Sequence, residues 1–217
     1  MAVRDPMDVA TLKRLHSRIR ACTKCVAAGY LAQAVPVVAG RITDRVMIVG
    51  QAPGIVELTT RMPFSGRAGA ELRRWLARAG ISEEQLAYRT SITKCFPGKA
   101  PTGAGDRRPS PAEIALCAPW LEAELACVRP EIILLVGALA IARLWGPGAL
   151  GEVVGRSRRS PELNDALLIP LPHPSGASRW LNDDANRGRL HRALRLLGRA
   201  WQALPSLDAA GKVHSRR

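Results

Sequence analysis

Aromatic side chains are scarce in this sequence. Two tyrosines, two phenylalanines and five tryptophans make up 4% of 217 residues, so an aromatic placed in a loop needs a reason beyond filling the core. Acids are also few, 18 against 32 lysines and arginines, which leaves a net charge of +14 and a pI near 10.9. No apolar run approaches the roughly 20 residues that span a bilayer, and the opening MAVRDPMDVATLKRLHSRIR has no apolar signal core. A cytoplasmic protein is expected. There is no Walker-type lysine loop, no G-x-G-x-x-G and no internal repeat, which argues against a nucleotide-cofactor enzyme and a solenoid.

What is present is a 47% hydrophobic chain long enough for one α/β domain. The expected domain covers residues 1–204, followed by a basic, frayed tail over 205–217. The charge has a bland reading, solubility or arginine-rich coding. The sharper reading is a polyanionic partner, because basic side chains release counterions from a phosphate backbone. The patterning predicts helices over 7–21, 67–79, 111–127, 138–145 and 183–203, and strands over 45–50, 87–94, 131–137 and 166–172. Ser110 and Glu113 form a capping box for the third helix. The strands are mostly continuous apolar runs separated by helices. The fold class is therefore α/β, a three-layer sandwich with a central, mostly parallel four-stranded sheet flanked by helices. Sites in such sheets gather beyond the carboxyl ends of the strands.

Three loops fall there. GQAPGIVELTTRMPFSGRAG (50–69) carries one carboxylate, Glu57, the only acid between Asp44 and Glu71. Glu57 either orients a water or stabilises a cationic transition state, or it caps the loop's backbone amides. Gln51 suits a planar amide edge. Phe64 suits stacking on a flat ligand, and equally packing on the strand. FPGKAPTGAGDRRPSP (96–111) is long for a compact domain, which argues for function or disorder. HPSGASRW (173–180) places His173 at a strand end, where an imidazole can donate to a developing oxyanion. His16, His191 and His214 have no such setting and are expected at the surface.

Five cysteines are present: Cys22, Cys25, Cys95, Cys117 and Cys127. Cys22 and Cys25 form C-x-x-C, which is compatible with redox, zinc or iron–sulfur chemistry. With Cys95 and Cys117 they suit a four-cysteine zinc site or a four-iron cluster. Cys127 reads as a small core residue.

Taken in order, C-x-x-C, GQAPG…E…PFSGRAG, a short strand ending in Lys94-Cys95, and HPS after a strand resemble the uracil-DNA glycosylases that carry an iron–sulfur cluster, family 4 in particular. The resemblance covers roughly residues 10–200. It implies a 4Fe-4S cluster on Cys22, Cys25, Cys95 and Cys117. It also implies a flipped-out base held by Gln51, Ala52, Phe64 and Ser91, with His173 at its carbonyl oxygen. Glu57, His173 and Gln51 are the expected catalytic groups, and Arg107, Arg108, Ser175 and Arg179 the expected DNA contacts. Arg179, Trp180 or Leu181 would wedge into the DNA. The implied partner is DNA containing uracil or another deaminated base, bound by a monomer.

The sequence departs from the family pattern at three places. Gln51 replaces the family's first acid, which passes any carboxylate role in this loop to Glu57. Ser91 replaces an asparagine that reads the uracil edge, so looser base choice is expected, with hypoxanthine and xanthine beside uracil. One branch of the superfamily traps DNA covalently through a histidine in an insertion before the fourth cysteine. Here Asp106 stands in that insertion, and turnover is expected instead. A zinc-stapled DNA-binding protein without catalysis and an iron–sulfur electron carrier are the competing readings.

Overall fold

Two runs, VMIVG and IILLV, have no polar face, and a strand that is apolar on both sides belongs inside a parallel sheet. In the computed structural model, which describes residues 6–81, 87–103, 105–175, 179–207 and 213–214, both runs are strands with every residue buried. In chain order the elements are α1 (Pro6–Arg20), α2 (Lys24–Ala27), β1 (Val46–Gly50), α3 (Glu57–Thr60), α4 (Arg67–Arg78), β2 (Tyr88–Ser91), α5 (Pro111–Val128), β3 (Ile132–Val136), α6 (Ala138–Leu144), α7 (Leu150–Val153), β4 (Arg158–Ser160), β5 (Ala166–Leu171) and α8 (Asp184–Ala203). In the expected frayed tail, the Pro205 carbonyl accepts from Arg45 and Ser206–Leu207 pairs antiparallel with Val213–His214, while 208–212 and 215–217 lie outside the described residues.

The main sheet has five strands in the order β2-β1-β3-β5-β4, one more than expected. β2, β1, β3 and β5 are parallel. The added strand, β4, pairs antiparallel with β5 at the edge. It comes from the weakly patterned stretch 150–163, where two exposed arginines precede one buried serine. A short edge strand needs no apolar run, so its pattern is faint. β2 is also shorter than expected, because Ile92–Cys95 turns away from the ladder while staying largely buried.

Helix faces follow the 3.6-residue period. α1 buries Leu12, Leu15 and Ile19, α4 buries Leu72, Trp75 and Leu76, and α8 buries Leu190, Leu194 and Leu197. α1 packs on α5, α8 on β5, and α4 on α8. The last pair meets at Gly198, where a Cβ would stand 2.8 Å from the Ala79 carbonyl oxygen. The capping box on α5 is present: Ser110 Oγ accepts from the Glu113 amide at 3.2 Å, and Glu113 Oε2 accepts from the Ser110 amide at 2.8 Å. β1 is flanked by β2 on one side and β3 on the other, and the chain reverses its direction of travel across the sheet there. That is the switch point at which open α/β sheets form a crevice.

Candidate active site and cysteine cavity

A cleft of about 290 Å³ opens beyond the carboxyl ends of β1, β2 and β5. It gathers Gln51, Ala52, Glu57, Phe64, Ser91, His173 and Ser175 from the expected set, and adds Thr90 and Asp106.

Phe64 takes a left-handed conformation, φ 57°, which is uncommon for a bulky residue and is held only where the surroundings impose it. Two glycines do so. A Cβ on Gly50 would stand 2.7 Å from Phe64 Cζ, and one on Gly69 would stand 1.6 Å from the Phe64 carbonyl oxygen. The ring therefore lies against the end of β1, and the Phe64 backbone lies against the start of α4. Arg73 Nη1 donates to the Phe64 carbonyl at 3.2 Å. The ring packs on the strand end, one of its two expected uses, and also lines the cleft.

Glu57 is buried and opens the single turn α3. Its Oε1 accepts from the amides of Ser65 at 3.0 Å and Gly66 at 3.1 Å, and its Oε2 accepts from the Gly54 amide at 2.9 Å. The carboxylate closes the loop on itself, which satisfies three amides that burial would otherwise leave unpaired. A Cβ on Gly54 would lie 3.0 Å from Oε2, and Glu57 lines the cleft.

His173 packs its Cδ2 edge on Gly137 at the end of β3, 3.3 Å from where a Cβ would be. Gly137 has φ 88°, so a side chain there meets both strain and the ring. The Ser175 amide donates to His173 Nδ1 at 3.2 Å, and Ser175 Oγ lies 2.8 Å from the same nitrogen. An amide can only donate, so Nδ1 is an acceptor and the proton of the neutral ring sits on Nε2. Burial pushes the His173 pKa down, partly offset by Asp106. A neutral imidazole presenting Nε2–H is the form that donates without being charged.

Ser91 is buried at the end of β2, and its hydroxyl donates to the Thr93 carbonyl at 2.8 Å. The donor is used within the chain, and what remains on Ser91 Oγ is acceptor capacity. Behind it lies a buried polar network absent from the sequence-based reading. Lys94 Nζ contacts Glu124 Oε2 at 2.5 Å and donates to Thr90 Oγ1 and the Ser91 carbonyl at 2.6 Å each. Tyr88 Oη donates to Glu124 Oε1 at 2.9 Å and meets His16 Nε2 at 2.8 Å. His16 is thus a buried residue, contrary to the surface position expected for it. His191 is exposed as expected, and the His214 side chain lies outside the described residues. The one sequence hint of the network is a lysine in the otherwise uncharged TSITKC.

Residues 98–103 and 105–108 fold back on each other. Lys99 and Asp106 form an antiparallel bridge, and the Arg107 amide donates to the Gly98 carbonyl at 2.9 Å. Arg107 grips Glu113 with two bonds of 2.7 Å, so its guanidinium anchors the loop to α5. Arg108 and Arg179 are exposed. Trp180 and Leu181 pack against the core, and residues 176–178 of the expected groove-entering segment lie outside the described residues.

Cys22, Cys25, Cys95 and Cys117 line one cavity, brought together from the end of α1, from α2, from the turn after β2 and from α5. Cys127 is not among its walls and packs against the core. Trp120 Nε1 donates to Cys22 Sγ at 3.3 Å and the Lys94 amide to Cys117 Sγ at 3.2 Å. As the side chains stand, no three cysteine, histidine, aspartate or glutamate side chains among the described residues are arranged to hold a metal ion. The chemistry of the set nevertheless fits a metal–sulfur group. Burial raises the Cys95 thiol to about 12 and the Cys117 thiol to about 11, and the neighbouring thiols add to both. A positive metal core would reverse that opposition. Thr93 Oγ1, also in the wall, is buried without a hydrogen-bond partner. An acceptor such as a cluster sulfide would satisfy it.

No helix is long and apolar enough to cross a membrane among the described residues. Comparison with known proteins agrees with the site. The sequence model of the uracil DNA glycosylase superfamily matches residues 38–204. The chain is 35% identical over 150 residues to the type-4 uracil-DNA glycosylase of Pyrobaculum aerophilum, covering 67% of this chain and 72% of that one. It is 30% identical over 174 residues to the type-4 enzyme of Thermotoga maritima, covering 80% and 86%. It is 32% identical over 173 residues to that of Saccharolobus solfataricus, covering 76% of each. The chain belongs to the uracil DNA glycosylase superfamily.

Proposed function

We propose that this protein is a DNA repair glycosylase that takes uracil out of the DNA stack and hydrolyses its N-glycosidic bond, leaving an abasic site. The observation that carries the reading is a donor and an acceptor facing one cleft. His173 offers Nε2–H, and Ser91 Oγ offers lone pairs, because its own proton is bound to the Thr93 carbonyl. A deaminated base presents the complement, a ring carbonyl and an imino N–H. Cytosine and adenine present a lone pair where that N–H would be, and Ser91 has no donor left for it. Hypoxanthine and xanthine share the imino N–H, which supports their place beside uracil as substrates.

Flipping is needed because the glycosidic carbon is out of reach inside the duplex. Phe64 then stacks on the base, and Gln51 and Ala52 close the rim. As the C1′–N bond breaks, its electron pair moves onto the base, and His173 stabilises the carbonyl oxygen that gains the charge. Glu57 fixes the loop through both carboxylate oxygens, and Oε2, beside Gly54, is the one placed toward the sugar. Ser175 positions His173 and, with the exposed Arg108 and Arg179, faces the phosphates of a DNA bound by one protomer. Cys22, Cys25, Cys95 and Cys117 would hold a 4Fe-4S cluster. These residues come from α2, the turn after β2, α5 and the end of α1, so a bound cluster would serve as a structural tie among them, since hydrolysis needs no redox step.

Single-turnover assays on an oligonucleotide with one deoxyuridine, beside deoxyinosine and deoxyxanthosine, test the reading. Alkali-labile breaks at the modified position are the expected result. Protein that binds DNA and holds its metal yet produces no break at any of the three bases would instead be a binding module.

A further inference from the structure

Gly54 has no side chain, and the space its Cβ would fill is flanked by two carboxylate oxygens, Glu57 Oε2 at 3.0 Å and Asp106 Oδ2 at 3.2 Å. Among the described residues these are the two carboxylates in the wall of the cleft. Glu57 is engaged with three backbone amides. Among the described residues no backbone amide donates to Asp106 Oδ2, while Oδ1 accepts from Lys99 Nζ at 2.8 Å. Its backbone is pinned on both sides, by the bridge to Lys99 and by the bond from the Arg107 amide to Gly98. The grip of Arg107 on Glu113 adds a third tie. Asp106 and His173 line the same cleft, and the Asp106 charge partly offsets the lowering of the His173 pKa. An exposed acid at a surface that binds a polyanion weakens that binding. In a chain with so few acids, one held rigidly over the cleft points to chemistry.

On the reading of the chain as a DNA glycosylase, we infer that Asp106 is a catalytic residue and that the notch over Gly54 holds the attacking water. The C1′–N bond breaks with its electron pair leaving on the base. The water oxygen bonds to C1′, and the water's proton passes to Asp106 Oδ2. Glu57 Oε2 holds the water from the other side. The products are the free base, protonated from solvent, and a sugar with a hydroxyl at C1′. Asp106 then returns its proton to solvent.

The test compares wild type, Asp106→Asn and Gly54→Ala. Single-turnover rates are measured on deoxyuridine DNA, and dissociation constants on DNA with 2′-fluorinated deoxyuridine, which resists cleavage. Asp106→Asn is expected to lower the rate about 10²- to 10⁴-fold, with DNA affinity unchanged or tighter because a negative charge is gone. Gly54→Ala fills the notch and is expected to slow cleavage by at least tenfold with affinity retained. An Asp106→Asn rate within threefold of wild type overturns the inference, and so does a slow variant that has also lost DNA affinity, which would make Asp106 a structural tie of its loop. Failure of the wild type to cleave uracil, hypoxanthine or xanthine DNA is a different result and sinks the glycosylase reading itself.

Discussion

The Lys94 ammonium and the Glu124 carboxylate form an ion pair of 2.5 Å with 1% and 0% of their side chains exposed. The pair joins the two sites: the Lys94 side chain binds the Ser91 carbonyl at the cleft, while its amide binds Cys117 Sγ at the cysteine cavity. Removing one partner of a buried pair leaves an uncompensated charge and costs about 3–5 kcal/mol, whereas replacing both by apolar groups is often close to neutral. Glu124→Ala is therefore expected to lower the unfolding free energy by about that amount in urea titrations, and Lys94→Met with Glu124→Leu to recover most of it. If the double variant is less stable than Glu124→Ala, the pair is needed for more than its own charge balance.

His16 sets a pH dependence. Burial, with Arg20 on the same helix and Lys94 across from it, lowers its pKa from 6.5 to about 4. Its ring faces the Tyr88 hydroxyl, with Glu124 one bond further. Between those two values the unfolded chain binds a proton that the folded chain does not, so stability falls as pH drops from about 6.5 to about 4 and is level above. His173, also shifted downward, acts in the same direction. His16→Gln should flatten part of that slope in unfolding free energy measured between pH 7 and 4, and an unchanged slope would place the proton uptake elsewhere.

Much of this was legible because the relevant signals are periodic or chemically rare. Apolar runs gave β1 and β3, the 3.6-residue pattern gave α4 and α8, and the Ser110–Glu113 box marked the start of α5. The loops of the cleft could be placed because parallel strands put all their carboxyl ends on one edge. β4 was hidden because an edge strand carries no apolar signature. Lys94, Glu124 and His16 were hidden because burial of a charged residue depends on partners from three distant elements. Asp106 was read as a gap in a pattern, since only the folded loop brings it over Gly54. The direction of the Ser91 proton was likewise invisible, because it depends on how the chain turns at Thr93.

The cysteines yield a metal prediction. On the proposal of a 4Fe-4S cluster, Cys95→Ser and Cys117→Ser are expected to lose iron and sulfide and to melt well below the wild type, because such a cluster would tie α2, the turn after β2 and α5. Cys127→Ser, outside the cavity wall, is expected to keep its full iron content. Metal analysis with visible absorption decides the matter. Zinc in place of iron would support the single-ion reading of the same four thiols, and loss of iron from Cys127→Ser would show that the ligand set is wrong.

On the proposed function, base choice would rest on Ser91. It is buried at the base of the cleft, and its hydroxyl is short and turned toward Thr93. An asparagine at this position reaches further into the cleft and adds an amide donor beside its acceptor. The donor suits the second carbonyl of uracil, and the lost room works against a bicyclic base. Steric discrimination of this kind is worth about 1–3 kcal/mol, or roughly 10- to 200-fold. Ser91→Asn is therefore expected to raise the ratio of uracil to hypoxanthine single-turnover rates by at least tenfold, mainly by slowing hypoxanthine. Ser91→Ala removes the acceptor and should slow both substrates alike. A ratio that does not move in Ser91→Asn would mean that the residue meets neither base, and that the edge of the flipped base is read from β1, by Gln51.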